Sequence, residues 1–176
     1  MDDRLYKPIK SGYNILFSSP IPRYLDLGTL NFEGKFAKAI KLGEELLSLN
    51  PPDDYCSGIY INLMVSYFKL RDKKKEYLEQ SSFCAKRAIL LGHNTGYAHE
   101  RLVINLEKSG FINQAIQLCN IILLRDFRFS RNGCGNSMDF HKRKDKLLKK
   151  VHKSVDSSTD ILFTESEIRV ILSYRD

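Results

Sequence analysis

The side chains best suited to chemistry in this 176-residue chain are four histidines, four cysteines and one dense run of cations. His141 and His152 fall on the same border of a helical segment as Asp145, and a carboxylate orienting an imidazole is acid–base machinery. The plainer expectation for that border is a solvated helix edge. Cys134 sits in Asn132-Gly133-Cys134-Gly135-Asn136, where glycines would expose its thiol. A nucleophile also needs a base and a lowered pKa, and the sequence offers neither, so a plain turn cysteine is expected. His93 and His99 lie near helix ends, which suits helix-terminal or groove roles. The chain has no His-Glu-x-x-His, no phosphate-binding glycine loop, no Gly-x-Ser-x-Gly and no Cys-x-x-Cys. We therefore expect no catalytic constellation, no metal site and no cofactor.

The cations are more informative. Lys and Arg number 28 against 21 Asp and Glu, a net charge of +7. Residues 125–153 alone hold ten Lys/Arg against three acids, so the excess is concentrated there. Arg125, Arg128 and Arg131 alternate with Phe127 and Phe129, a pattern that can bind single strands but also simply packs a loop. Lys142, Arg143, Lys146, Lys149, Lys150 and Lys153 then fall within one arc of about 120° on a helical projection, roughly opposite Phe140, Leu147, Leu148 and Val151. Three readings stay open for that amphipathic stretch. It is a terminal cap with one apolar and one soluble face, a docking face for an acidic protein, or a binder of nucleic acid or anionic lipid.

What positions these residues is mostly helix. With 43% hydrophobic and 28% charged residues the chain has a soluble, globular balance. No apolar run approaches the ~20 residues that span a bilayer. The start, Met1-Asp2-Asp3-Arg4, does not resemble a secretory signal, and the scattered cysteines suit reduced thiols, so a cytoplasmic setting is expected. Residues 1–22 read as an extended arm interrupted by Pro8, Gly12, Pro20 and Pro22. Across 23–124, apolar residues recur at i, i+3 and i+4 in six segments grouped as three hairpins. Residues 125–136 read as a basic loop and 137–153 as the basic helix, with Ser137 as N-cap. In the tail 154–176, Thr164-Glu165-Ser166-Glu167 has capping-box form before Ile168, Ile171 and Leu172, so a short helix is expected there, although Ile168–Leu172 is also strand-like.

The hairpins repeat. Gly34, Phe36, Ala39, Gly43 and Leu46 are matched 76 residues later by Gly110, Ile112, Ala115, Cys119 and Ile122 in the same steps. Leu78, Ser81, Ala85 and Ala88 carry the pattern in the middle hairpin. Two ideal 34-residue repeats span about 68 residues; the excess is expected before Tyr67 and at Lys73–Tyr77. These features resemble tetratricopeptide repeats, with Tyr24, Leu27 and Gly28 at the first-helix positions, Gly34-Lys35-Phe36-Ala37-Lys38-Ala39-Ile40 as a second-helix opening and Asn50-Pro51 as its close. The third hairpin, Leu106 to Ile116, is also similar to a pentatricopeptide repeat, a family that reads single-stranded RNA.

The resemblance implies an all-α, right-handed α-solenoid of about three helix-turn-helix hairpins plus a basic C-terminal capping helix. It also implies a concave groove lined by first helices, where an extended peptide binds. Asn62, Tyr97, Arg101 and Asn105 sit on first helices at turns expected to face that groove. Asn62 and Arg101 fall where chaperone-tail-binding members of the family hold a terminal carboxylate, whereas Leu25, Thr29 and Tyr97 replace that clamp's other polar residues. The function expected is non-catalytic binding of a protein or peptide partner by an adaptor, chaperone or inhibitor. The alternative is single-stranded nucleic acid bound through 125–153. A homodimer formed through Ile161-Leu162-Phe163 is a further option.

Overall fold

The computed structural model describes residues 23–92, 96–124, 137–151 and 161–173. Among the described residues are eight α-helices and no strand: α1 Tyr24–Phe32, α2 Phe36–Ser48, α3 Asp53–Leu70, α4 Glu76–Leu90, α5 Gly96–Lys108, α6 Ile112–Leu124, α7 Ser137–Val151 and α8 Glu165–Ser173. None is long and apolar enough to cross a membrane. Each helix from α1 to α6 packs on the next, and α1 also touches α3, the neighbour-to-neighbour packing of a helical repeat.

The internal period appears in the turns. Gly34 and Gly110 both adopt positive φ (73° and 85°), which glycine reaches without steric cost. At the first, the Gly34 and Lys35 amides donate to the carbonyls of Asn31 and Leu30 (3.1 and 2.8 Å). At the third hairpin the Gly110 and Phe111 amides donate to Glu107 and Leu106 (3.3 and 2.9 Å). Both are Schellman caps, closing the orphan carbonyls of α1 and α5 in the same way. The equivalent core positions are buried too: Leu27 with Val103, Ala39 with Ala115, Leu42 with Leu118, Leu46 with Ile122. The middle hairpin fills the same helix-facing positions with Ser81, Cys84, Ala85 and Ala88, all buried. Its extra length lies in an α3 of 18 residues against 13 in α5 and in the turn 71–75, while Glu76 and Tyr77, expected within the inserted stretch, open α4.

Small residues on the second helices set how closely neighbours approach. A Cβ on Gly43 would stand 2.6 Å from Leu63 Cδ2 and 2.8 Å from its Cγ, and Leu63 is itself buried. Gly43→Val is therefore expected to force α2 away from α3 and cost about 1–3 kcal/mol; urea unfolding with an unchanged m-value checks it.

The C-terminal segment does not extend the row. It returns to α4, with Leu162, Phe163 and Ile171 buried. Lys86 Nζ donates to the Leu162 carbonyl (2.6 Å), and Gln117 Oε1 accepts from the Leu162 amide (3.0 Å). The segment is helical from Glu165, and the capping box forms. The Glu167 amide donates to Thr164 Oγ1 (3.2 Å), and Glu167 Oε2 accepts from the Thr164 amide (2.8 Å). The expectation that Ile161-Leu162-Phe163 offers an apolar end to a second copy is corrected here. Two of the three side chains are spent on the chain's own core, and only Ile161 is exposed.

Candidate functional site

The four residues expected to line the groove divide into two pairs. Asn62 and Asn105 hold helices together. Asn31 Nδ2 donates to both the carbonyl and Oδ1 of Asn62 (3.0 Å each), Asn62 Nδ2 donates to the Gly58 carbonyl (2.9 Å), and the Ser66 hydroxyl lies 2.5 Å from Asn31 Oδ1. This network ties α1 to α3, and both ends of the Asn62 amide are committed to it. Asn105 is fully buried. Its Nδ2 donates to Ser81 Oγ (2.9 Å), and Ser81 in turn donates to the Met64 carbonyl (2.9 Å), linking α5, α4 and α3. Asn105 is thus no groove residue. Its amide nitrogen turns toward α4, while its buried Oδ1 has no hydrogen-bond partner among the described residues.

Tyr97 and Arg101 come together, on a ring that sequence reasoning passed over. The Arg101 guanidinium lies 3.8 Å from the centroid of Phe68 and 5.6 Å from that of Tyr97. Arg71 stacks on the same Phe68 ring at 4.2 Å, while its Nη1 donates to the Phe68 carbonyl (2.8 Å). The sequence signal was available as two ordinary helical spacings, Phe68 with Arg71 at i, i+3 and Tyr97 with Arg101 at i, i+4. What it could not give was the meeting of the C-terminal end of α3 with α5. Among the described residues no carboxylate lies within 4.0 Å of Arg101, and its buried Nε has no hydrogen-bond partner. The ion partner of Arg71 is Asp72 at 3.6 Å, whose side chain is 84% exposed. Such a pair is screened and weak. The result is a preorganised cationic and aromatic cluster with its positive charge poorly balanced.

The basic helix is placed differently from its projection. Phe140 and Leu147 are buried against α6, but Leu148, on the supposed apolar stripe, is exposed. Three cations of the expected solvent arc instead meet α5. Lys150 Nζ donates to Glu107 Oε1 (2.6 Å), Arg143 lies 3.5 Å and Lys146 3.7 Å from the Glu107 carboxylate, and Arg143 also reaches Glu100 at 3.7 Å. The physical reason is that the buried sector is rotated toward the Arg143–Lys150 border, because α5 and α6 flank α7 on that side. Lys142 and Lys149 remain exposed. Arg125, Arg128, Arg131 and Lys153 lie outside the described residues, as do Phe127, Phe129, Cys134, His93, His152 and the arm 1–22.

Glu107 is the hub of this contact, and its side chain is only 13% exposed. The hydrogen bond from Lys150, with the charges of Lys146 and Arg143, holds its carboxyl below the usual range against the opposing effect of burial. A depressed folded pKa contributes stability that is complete above the unfolded value of about 4.3 and is lost as pH falls through the folded one. Between about pH 5 and 3 the wild type should therefore lose more stability than Glu107→Gln. Parallel denaturation curves for the two proteins across that range would remove the clamp from the account.

The chemistry weighed for catalysis finds no geometry in the described residues. His141 and Asp145 are both exposed, and no hydrogen bond joins them. His99 is buried. Burial pushes the Cys84 thiol up to about 12 and Cys119 to about 11, so both stay protonated at neutral pH and are poor nucleophiles. No group of three or more His, Cys, Asp or Glu among the described residues is arranged to hold a metal ion. Neither a family model, nor a curated protein, nor a solved structure matches this chain.

Proposed function

We propose that this chain is a non-catalytic protein-interaction module, an adaptor, chaperone or inhibitor, that holds a peptide or acidic protein partner against the face formed by its first helices α1, α3 and α5. We further propose that the hairpins stack as a right-handed solenoid of tetratricopeptide type, with α7 as its cap. The observation that carries the binding reading is Arg101, an arginine fixed between Phe68 and Tyr97 with no carboxylate within 4.0 Å among the described residues. A planar guanidinium stacked in this way keeps in-plane donors for a carboxylate, and its ordering cost is met before the partner arrives.

The nucleic-acid alternative is less well supported, because Arg143, Lys146 and Lys150 spend charge on Glu107. The test is affinity capture from native cell extract, with and without nuclease, using the wild type and Arg101→Gln side by side. A stoichiometric protein that survives nuclease and is lost from Arg101→Gln, with circular dichroism unchanged, is the expected result. Retention of RNA or DNA alone, released at moderate salt, would transfer the function to the basic segment.

A further inference from the structure

We infer that the Arg71–Phe68–Arg101 stack receives two side-chain carboxylates from one acidic segment of a protein partner, spaced as at positions i and i+2 of an extended strand. This rests on the partner-binding reading above and gives it a ligand geometry. Arg71 and Arg101 lie 4.2 and 3.8 Å from one ring centroid, so their guanidinium carbons stand within about 8 Å of each other. Like charges this close repel, and here the ring, the C-terminal end of α3 and the body of α5 hold the pair in place. Two anions delivered together pair with both guanidinium groups, whereas one carboxylate reaches only one of them.

The spacing selects the ligand. In an extended strand, side chains at i and i+2 share a face and lie about 6.6–6.8 Å apart, whereas i and i+1 point to opposite faces. Acids at i and i+2 can therefore reach both guanidinium groups at once, and neighbouring acids cannot. A nucleic-acid strand fits less well, because Phe68 already carries two cations on its ring and so is not an open platform for a base. Tyr97 supports the Arg101 guanidinium at 5.6 Å, so the donors on its outer edge are aimed rather than searching.

The experiment uses the intact protein and two nonapeptides of identical composition, acetylated and amidated so that no terminal carboxylate takes part. One carries two glutamates separated by an alanine, and the other carries them side by side. Fluorescence anisotropy at low salt is expected to show the separated pair binding about tenfold tighter. Arg71→Gln and Arg101→Gln, each with wild-type circular dichroism, should each abolish that preference. Equal affinities for the two peptides, or binding of neither, would overturn the two-carboxylate geometry. The partner-binding reading would still stand if capture of the native partner depends on Arg101, and it would fall with the geometry if it does not.

Discussion

Replacement of Phe163 by alanine is expected to release the C-terminal segment from the hairpins. Phe163 is fully buried, and it packs beside Lys86, whose ammonium lies 5.1 Å from the ring centroid. Phe→Ala in such a site costs about 3–5 kcal/mol. The other attachments are the buried Leu162 and Ile171, the Lys86–Leu162 and Gln117–Leu162 hydrogen bonds, and a partly buried Lys86–Glu167 pair at 3.5 Å. The loss is therefore a large part of what holds the C-terminal segment on α4. Amide exchange in α8 should rise toward that of an isolated nine-residue helix, which is unstable alone. Protection of α2 and α3 should change little, since the helix of this segment packs on α4. Uniform loss of protection through all helices would mean that the segment belongs to the same cooperative unit.

The second large effect is expected at Asn105→Asp. Ser81 gives its proton to the Met64 carbonyl and accepts from Asn105 Nδ2. An aspartate there would turn a carboxylate oxygen toward an acceptor in a fully buried site. The cost at pH 7 is about 3 kcal/mol or more. Burial raises the pKa of such a carboxyl, so the penalty is present at high pH and fades as pH falls through the raised value, when the neutral acid can donate to Ser81. The variant should recover toward the wild type between neutral and mildly acidic pH, opposite in sign to the Glu107 effect. Urea titrations at pH 7 and 5 check this. A variant as stable as wild type at pH 7 would mean that Asn105 faces water after all.

These two sites mark where the sequence was legible. The 76-residue offset is a property of local steps in the chain, and local steps fix turns and helix faces. Gly34 and Gly110 therefore marked two like breaks between helices, and Thr164 with Glu167 predicted the capping box that opens α8. Partners between helices are a different matter. Asn62, Tyr97, Arg101 and Asn105 occupy similar places on first helices, yet a rotation of one helix by a fraction of a turn decides whether an amide meets Ser81 or solvent. Phe68 was missed because an aromatic on an amphipathic helix reads as core, and its role comes from Arg101, more than thirty residues away. Glu107 was missed for the same reason: one acid on α5 looks ordinary until three cations of α7 arrive.

The reading as a whole turns on where a partner is held. It is tested most directly by titration calorimetry of the captured partner against two double variants that remove equal charge. Arg71→Gln with Arg101→Gln empties the stack on Phe68; Lys142→Gln with Lys149→Gln removes exposed cations from α7. The account predicts a loss of about tenfold or more for the first and less than about twofold for the second. The reverse order, with the lysine pair carrying the affinity, would contradict it.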